Sequence, residues 1–207
     1  CFRTDGAEYQ LGDCNLRRPG GHRGNFTKEN TVMPMETYFS TSQLSVGYDG
    51  ESLIHDINMQ LQKGQILALI GPNGSGKSTI LKTITKYLKT IRGTVFIGGR
   101  SLDHMTERDL SFQLSVVLTQ RMNTERMTCE EVVETGRYPY TGRFGILSDE
   151  DRVYVQEALE LVNATDLREY DFMKVSDGQR QRVLLARAIC QQPEIIVLDE
   201  PITFLDI

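Results

Sequence analysis

One short run constrains this chain more than any other feature: Gly71-Pro72-Asn73-Gly74-Ser75-Gly76-Lys77-Ser78, which fits the pattern G-x-x-x-x-G-K-[ST]. It lies between the apolar run Gln65-Ile66-Leu67-Ala68-Leu69-Ile70 and a stretch with apolar residues at Ile80, Leu81, Ile84 and Leu88, the spacing of one helix face. Glycines at these positions let the backbone curl until successive N–H groups face inward, a concavity that holds phosphate oxygens. Lys77 then reaches the β- and γ-phosphates of a nucleotide, the Ser78 hydroxyl ligates Mg²⁺, and the positive end of the following helix, with Thr79 in its first turn, completes the grip. Residues 65–70 are therefore expected to form a buried parallel strand, and Ser78–Leu88 a helix.

A second segment completes such a site. Ile195-Ile196-Val197-Leu198 is an apolar strand, expected to be buried on both faces, that ends in Asp199-Glu200. The carboxyl ends of strands are where open α/β sheets bind ligands. Asp199 is expected to hold Mg²⁺, and Glu200 to polarise an attacking water as general base. The plain alternative is a pair of solvated acids closing a strand.

Around these motifs the chain reads as mixed. Thr37 to Leu61 alternates apolar and polar residues, with a turn at Tyr48-Asp49-Gly50, and predicts antiparallel strands. Lys63-Gly64 predicts a turn and Thr94–Ile97 another strand. Asp151–Val162 predicts a helix with Val155, Ala158, Leu159 and Val162 on its buried side, and Arg182–Cys190 a second helix with Cys190 as a small core residue.

Composition excludes several classes. A length of 207 residues suits one domain, and a formal charge of −5 argues against a general polyanion binder, so no nucleic-acid partner is expected. No run approaches the roughly 18 apolar residues of a membrane span, so any membrane association is expected through a partner. The cysteines (Cys1, Cys14, Cys129, Cys190) form no CxxC pair and lie far in sequence from His22, His55 and His104, which speaks against a structural metal site and for reduced thiols. The N-terminus lacks the apolar segment of a signal peptide.

The two ends read differently from the rest. Residues 1–34 are rich in Gly, Arg, Asn and Asp without periodic apolar positions, and Met35 would make a natural start. They are expected to be a non-native or disordered leader, a regulatory arm being the alternative. The sequence stops at Ile207, just past a buried strand, which gives the expectation of a chain cut short.

Val175-Ser176-Asp177-Gly178-Gln179, followed by Arg180-Gln181-Arg182 and Leu184-Leu185-Ala186-Arg187-Ala188, narrows the reading. Taken locally, Ser176 and Gln179 make a helix capping box. Taken with the phosphate loop and Asp199-Glu200, the segment resembles the LSGGQ signature of ABC ATPases, with Val175 for Leu and Asp177 for the first Gly. The resemblance covers about residues 37 to 207. It implies an α/β P-loop (RecA-like) core with an antiparallel β subdomain and a helical subdomain at about 121–180, inside a nucleotide-binding domain at 35–207 that lacks its last strands and helices.

Site roles follow from the same resemblance. The nucleotide would be held by Tyr48, by Gly71, Pro72, Asn73, Gly74, Ser75, Gly76, Lys77, Ser78 and Thr79, and across a dimer by Ser176, Gly178, Gln179 and Asp206. Mg²⁺ would be held by Ser78, Gln120 and Asp199, with Glu200, Gln120 and Lys77 in catalysis. Tyr48 has two readings, a face for adenine or a buried core tyrosine. Ile202-Thr203-Phe204 departs from the small polar residues expected before Leu205-Asp206.

The stretch Gly136 to Asp151, GRYPYTGRFGILSDED, resembles ATPase subunits of iron(III)–siderophore importers, with cobalamin and haem importers as near relatives; its plain reading is a turn-rich loop. The implied protein is an ATP-hydrolysing subunit at the cytoplasmic face of the membrane. Two copies would sandwich ATP, dock on permease subunits and answer indirectly to a substrate-binding protein. A soluble ABC ATPase outside transport and an inactive fragment are the alternatives. A chain ending at Ile207 would turn ATP over weakly and expose an apolar edge at Ile195–Leu198.

Overall fold

The computed structural model describes residues 37–117, 126–142 and 144–199; the proposed leader lies outside them. The chain divides after Asp103 into two compact units.

In the first unit, Thr37–Tyr48 (β1) and Glu51–Ile57 (β2) form an antiparallel hairpin with Tyr48 opposite Glu51. Asp49 and Gly50 turn it with φ of 52° and 85°, the hand that matches the twist of the flanking strands. Gln60–Gln62 (β3) pairs β1, and Arg92–Ile97 (β4) with Arg100–Ser101 (β5) extends the sheet to the order β2-β1-β4-β5. This is the expected antiparallel subdomain. Leu44, Val46, Val95 and Ile97 are buried in it.

Helix Lys77–Ile84 (α1) buries Thr79, Ile80, Thr83 and Ile84. It ends four residues before the expected Leu88. Lys86 takes a left-handed φ of 63° and the Thr85 hydroxyl bonds the Leu81 carbonyl, so the last turn closes there. A larger departure lies upstream. Residues 65–70 form no strand, and Ile66 and Ile70 are 95% and 58% exposed. An apolar run becomes a strand only when a neighbour takes its backbone hydrogen bonds, and among the described residues none pairs with it.

The second unit holds Glu107–Gln113 (α2), Leu114–Val117 (β6), Cys129–Glu134 (α3), Asp149–Leu161 (α4), Asp177–Cys190 (α5) and Ile195–Leu198 (β7). β6 and β7 run parallel, from Leu114 opposite Ile195 to Val117 opposite Leu198. α3, α4 and α5 pack around Phe172, Leu159, Val132, Val133 and Val183. The expected face of α4 is buried at all four positions, and so is Cys190. α5 starts five residues before the expected Arg182, because the Ser176–Gln179 box nucleates it. β7 also departs from expectation: Val197 is buried, but Ile196 and Leu198 are each 39% exposed. Burial on both faces needs cover on both sides, and among the described residues the main helix contacts of the pair, from α2 and α5, fall on β6.

Candidate functional site: a phosphate loop and a signature helix

The phosphate loop takes its shape from glycine. Gly76 is the N-cap of α1 at φ 85°, and a Cβ there would come within 2.5 Å of Ile54 Cδ1 on β2. The left-handed φ strains any side chain at this position, and a Cβ would also have to displace the side-chain ends of Ile54 and Leu53. Ser75 N–H closes the curl on the Pro72 carbonyl at 3.2 Å. Lys77 Nζ lies within the loop, donating to the Gly71 and Pro72 carbonyls at 2.8 and 2.9 Å. α1 has no side-chain cap, whereas α2, α3, α4 and α5 are each closed by a capping box from Thr106, Thr128, Ser148 and Ser176. A glycine-lined curl, a helix start without a side-chain cap and an ammonium group beside it fit a polyphosphate.

Tyr48 is 49% exposed, so the buried-core reading of this residue is wrong. It stands at the end of β1, beside the Asp49-Gly50 turn. Its hydroxyl meets the buried Thr79 hydroxyl at 3.2 Å, which ties the ring to the first turn of α1. The first unit thus brings together Tyr48, Thr79 and the loop.

The second unit positions the signature. Ser176 Oγ accepts from the Gln179 N–H at 3.3 Å, and Ser176 N–H donates to Gln179 Oε1 at 2.9 Å. A serine that accepts in this way keeps its own proton to donate. Gly178 faces open space: a Cβ there would meet nothing within 4 Å. Val175, standing where the family has Leu, is buried in the helical core. Asp199 is placed at the tip of β7 by its N–H, which donates to the Val117 carbonyl on β6 at 3.0 Å. Gln120, Glu200 and Asp206 lie outside the described residues.

Arg137 escaped the sequence reading. It is 3% exposed, and its Nε donates to Asp151 Oδ1 at 2.8 Å while Nη1 donates to the Cys190 carbonyl at 2.9 Å. Its guanidinium lies against the rings of Tyr140 and Tyr154, 3.8 and 4.5 Å from their centroids. Burial alone would raise the Asp151 carboxyl, but hydrogen bonds from the Ser148 backbone and hydroxyl, then Arg137, hold it below the ordinary range. This cluster ties the 136–151 loop to α4 and α5, and the same loop leaves Tyr138, Phe144 and Ile146 exposed. No sequence signal marks Arg137, because its partners stand 14 and 53 residues away.

Comparison with known proteins gives the family and the fold. The chain is 45% identical over 166 residues to an uncharacterized ABC transporter ATP-binding protein of Methanocaldococcus jannaschii, covering 80% of this chain and 57% of that protein. It is 39% identical to the iron(3+)-hydroxamate import ATP-binding protein of Bacillus subtilis, covering 81% and 62%. With the ferric enterobactin transport ATP-binding protein of Escherichia coli it shares 32%, covering 80% and 61%. The chain thus spans about three fifths of the length of these relatives. Among solved structures, an ATP-binding subunit of an ABC transporter superposes with a TM-score of 0.70 at 26% identity, over 82% of this chain and 69% of that one. A subunit of the cbiONQ transporter complex from Clostridium perfringens does so at 0.71 and 25%, over 83% and 68%. These neighbours share the α/β cassette fold expected from the sequence. The family described as "ABC transporter" matches residues 54–203, and the chain belongs to it.

Proposed function

We propose that this chain is the ATP-hydrolysing subunit of an importer, powering uptake of an iron–siderophore-type chelate through a membrane permease. The observation that carries the ATP reading is the start of α1, with Gly76 in a left-handed conformation, no side-chain cap, and Lys77 poised on the loop carbonyls. A triphosphate replaces those carbonyls as the partner of Lys77, a move that needs only rotation of a flexible side chain. Tyr48 offers its exposed face to the adenine. Ser78 and Asp199, with Gln120, would hold Mg²⁺, which would supply charge neutralisation to the phosphates. Glu200 takes a proton from the attacking water, and the γ-phosphoryl group passes to that water without a covalent enzyme intermediate. Ser176 donates its remaining proton to the γ-phosphate bound by a second copy, with Gly178 leaving room for the approach.

The chelate assignment is supported by the names of the Bacillus subtilis and Escherichia coli relatives and by the exposed aromatic and aliphatic residues of the 136–151 loop. Permease subunits are the proposed partners of that loop, which places the protein on the cytoplasmic face of the membrane. Among the described residues no helix is long and apolar enough to cross a membrane. The test is purification of the native gene product with its permease, followed by ATPase assays with candidate binding proteins. Stimulation by an iron-chelate-loaded binding protein and not by others supports the assignment; failure of Glu200→Gln protein to dimerise on ATP overturns the sandwich.

A further inference from the structure

Asp177 presents a chemical problem at the start of α5. A carboxylate in the first turn stabilises the helix, but it also repels an anion brought to the same helix end. The structure answers with a side chain one turn on. Arg180 Nη1 donates to Asp177 Oδ1 at 2.5 Å. The same guanidinium is held from behind: Nη2 donates to the Met173 and Val175 carbonyls at 3.3 and 3.2 Å, and the group lies 5.7 Å from the centroid of the buried Phe172 ring. Among the described residues its Nε has no hydrogen-bond partner, although the side chain is only 18% exposed. Asp177, at 48%, stays at the surface beside Ser176 and the open side of Gly178. The cation is therefore fixed by the fold, and the carboxylate is fixed by the cation.

We propose that Arg180 is a positioning residue for the nucleotide-sealing segment: it cancels the charge of Asp177 in place, so that the start of α5 can face a phosphate despite a carboxylate where the family's signature has glycine. The proposal rests on the reading that Ser176 and Gly178 seal the ATP of a second copy. Neutralisation by a neighbour three residues away is geometrically natural on a helix. A loose surface pair would add little, whereas a guanidinium clamped by two carbonyls and an aromatic ring keeps its place during approach of an anionic phosphate.

The experiment uses the native gene product with its membrane partner and measures steady-state ATP hydrolysis at low and high ionic strength. Arg180→Gln is expected to raise KM for ATP about tenfold at low salt, with kcat changed less and the penalty reduced at high salt. Arg180→Gln combined with Asp177→Asn is expected to return KM to within about twofold of the parent, because the carboxylate needing compensation is gone. If Arg180 only braces Met173, Val175 and Phe172, the double variant remains as impaired as the single one, and the proposal fails. Asp177→Asn alone leaves that bracing intact and decides the matter even where Arg180→Gln does not fold. It is expected to lower KM several-fold at low salt, and an unchanged KM overturns the proposal. Ser176→Ala separates the two levels. If it leaves KM unaltered, the sealing reading itself fails and takes the inference with it; if it raises KM while the double variant is not rescued, only the role of Arg180 falls.

Discussion

Helix α1 begins on Gly76 with no side-chain cap, while α5 begins on Ser176 inside a closed capping box with an ion pair beside it. Both helix starts are read as meeting phosphate, yet they are prepared in different ways. At α1 the proposed binding surface is backbone, and a side chain at Gly76 would strain the left-handed φ on which its curl depends. At α5 the N–H groups of Ser176 and Gln179 are taken up by the capping box, and Ser176 adds a hydroxyl proton to what the helix start can offer. The contrast extends to the surroundings: the phosphate loop depends on φ angles that only glycine takes easily, whereas the helical unit is braced by charged side chains such as Arg137 and Asp151. A backbone-built site is broken by adding atoms, and a charge-built one by removing them.

The largest expected effect is in the charge-built half. Arg137→Met strands Asp151 in the core, and breaking such a buried pair costs about 3–5 kcal/mol of stability. Urea denaturation would read it, and Arg137→Met with Asp151→Leu is expected to regain most of the loss. Acid reaches the same bond. Because the Asp151 carboxyl is held below its ordinary range in the folded protein, its contribution is complete above the unfolded value of about 3.9 and is lost as pH falls through the lower folded value. Asp151→Asn should flatten the pH dependence of the denaturation midpoint in that acid window.

Next in size is the backbone-built half. Lys77→Ala is expected to reduce ATP hydrolysis by about 100-fold or more while leaving the denaturation midpoint nearly unchanged, as phosphate release and melting curves would show. An equal loss of stability would mean that the lysine is chiefly a brace for the Gly71 and Pro72 carbonyls. Ser176→Ala should give a smaller, mixed result: about 1 kcal/mol of stability from the lost cap, together with weaker ATP-driven dimerisation. The smallest expected effect concerns the thiols. Burial pushes Cys190 up to about 12 and also raises Cys129, with Asp171 adding to the shift there. Neither should react with a maleimide at neutral pH until the helical unit opens, which peptide mapping would detect.

Local chemistry was legible before any coordinates. The turn at Asp49-Gly50, the buried face of α4, the capping box at Ser176 and the curl of Gly71–Ser78 each depend on residues within a few positions of one another. Asp177–Arg180 is also local, and its three-residue spacing could have pointed to it. Tyr48 was left with two readings because exposure is a property of the folded surface, and only its place at the end of β1 separated them.

What the sequence by itself determined is where the backbone can curl on glycine and which helix faces must be buried, since glycine freedom and apolar spacing act over a few residues; the family was carried by the resemblance of Val175–Gln179 to a known signature. The tertiary structure alone decided that residues 65–70 pair with no strand among the described residues, that Ile196 and Leu198 keep an open face, and that Arg137 is buried between two tyrosines against Asp151. Strand pairing and buried charge both require a partner from elsewhere in the chain, and hydrophobic periodicity carries no information about who that partner is.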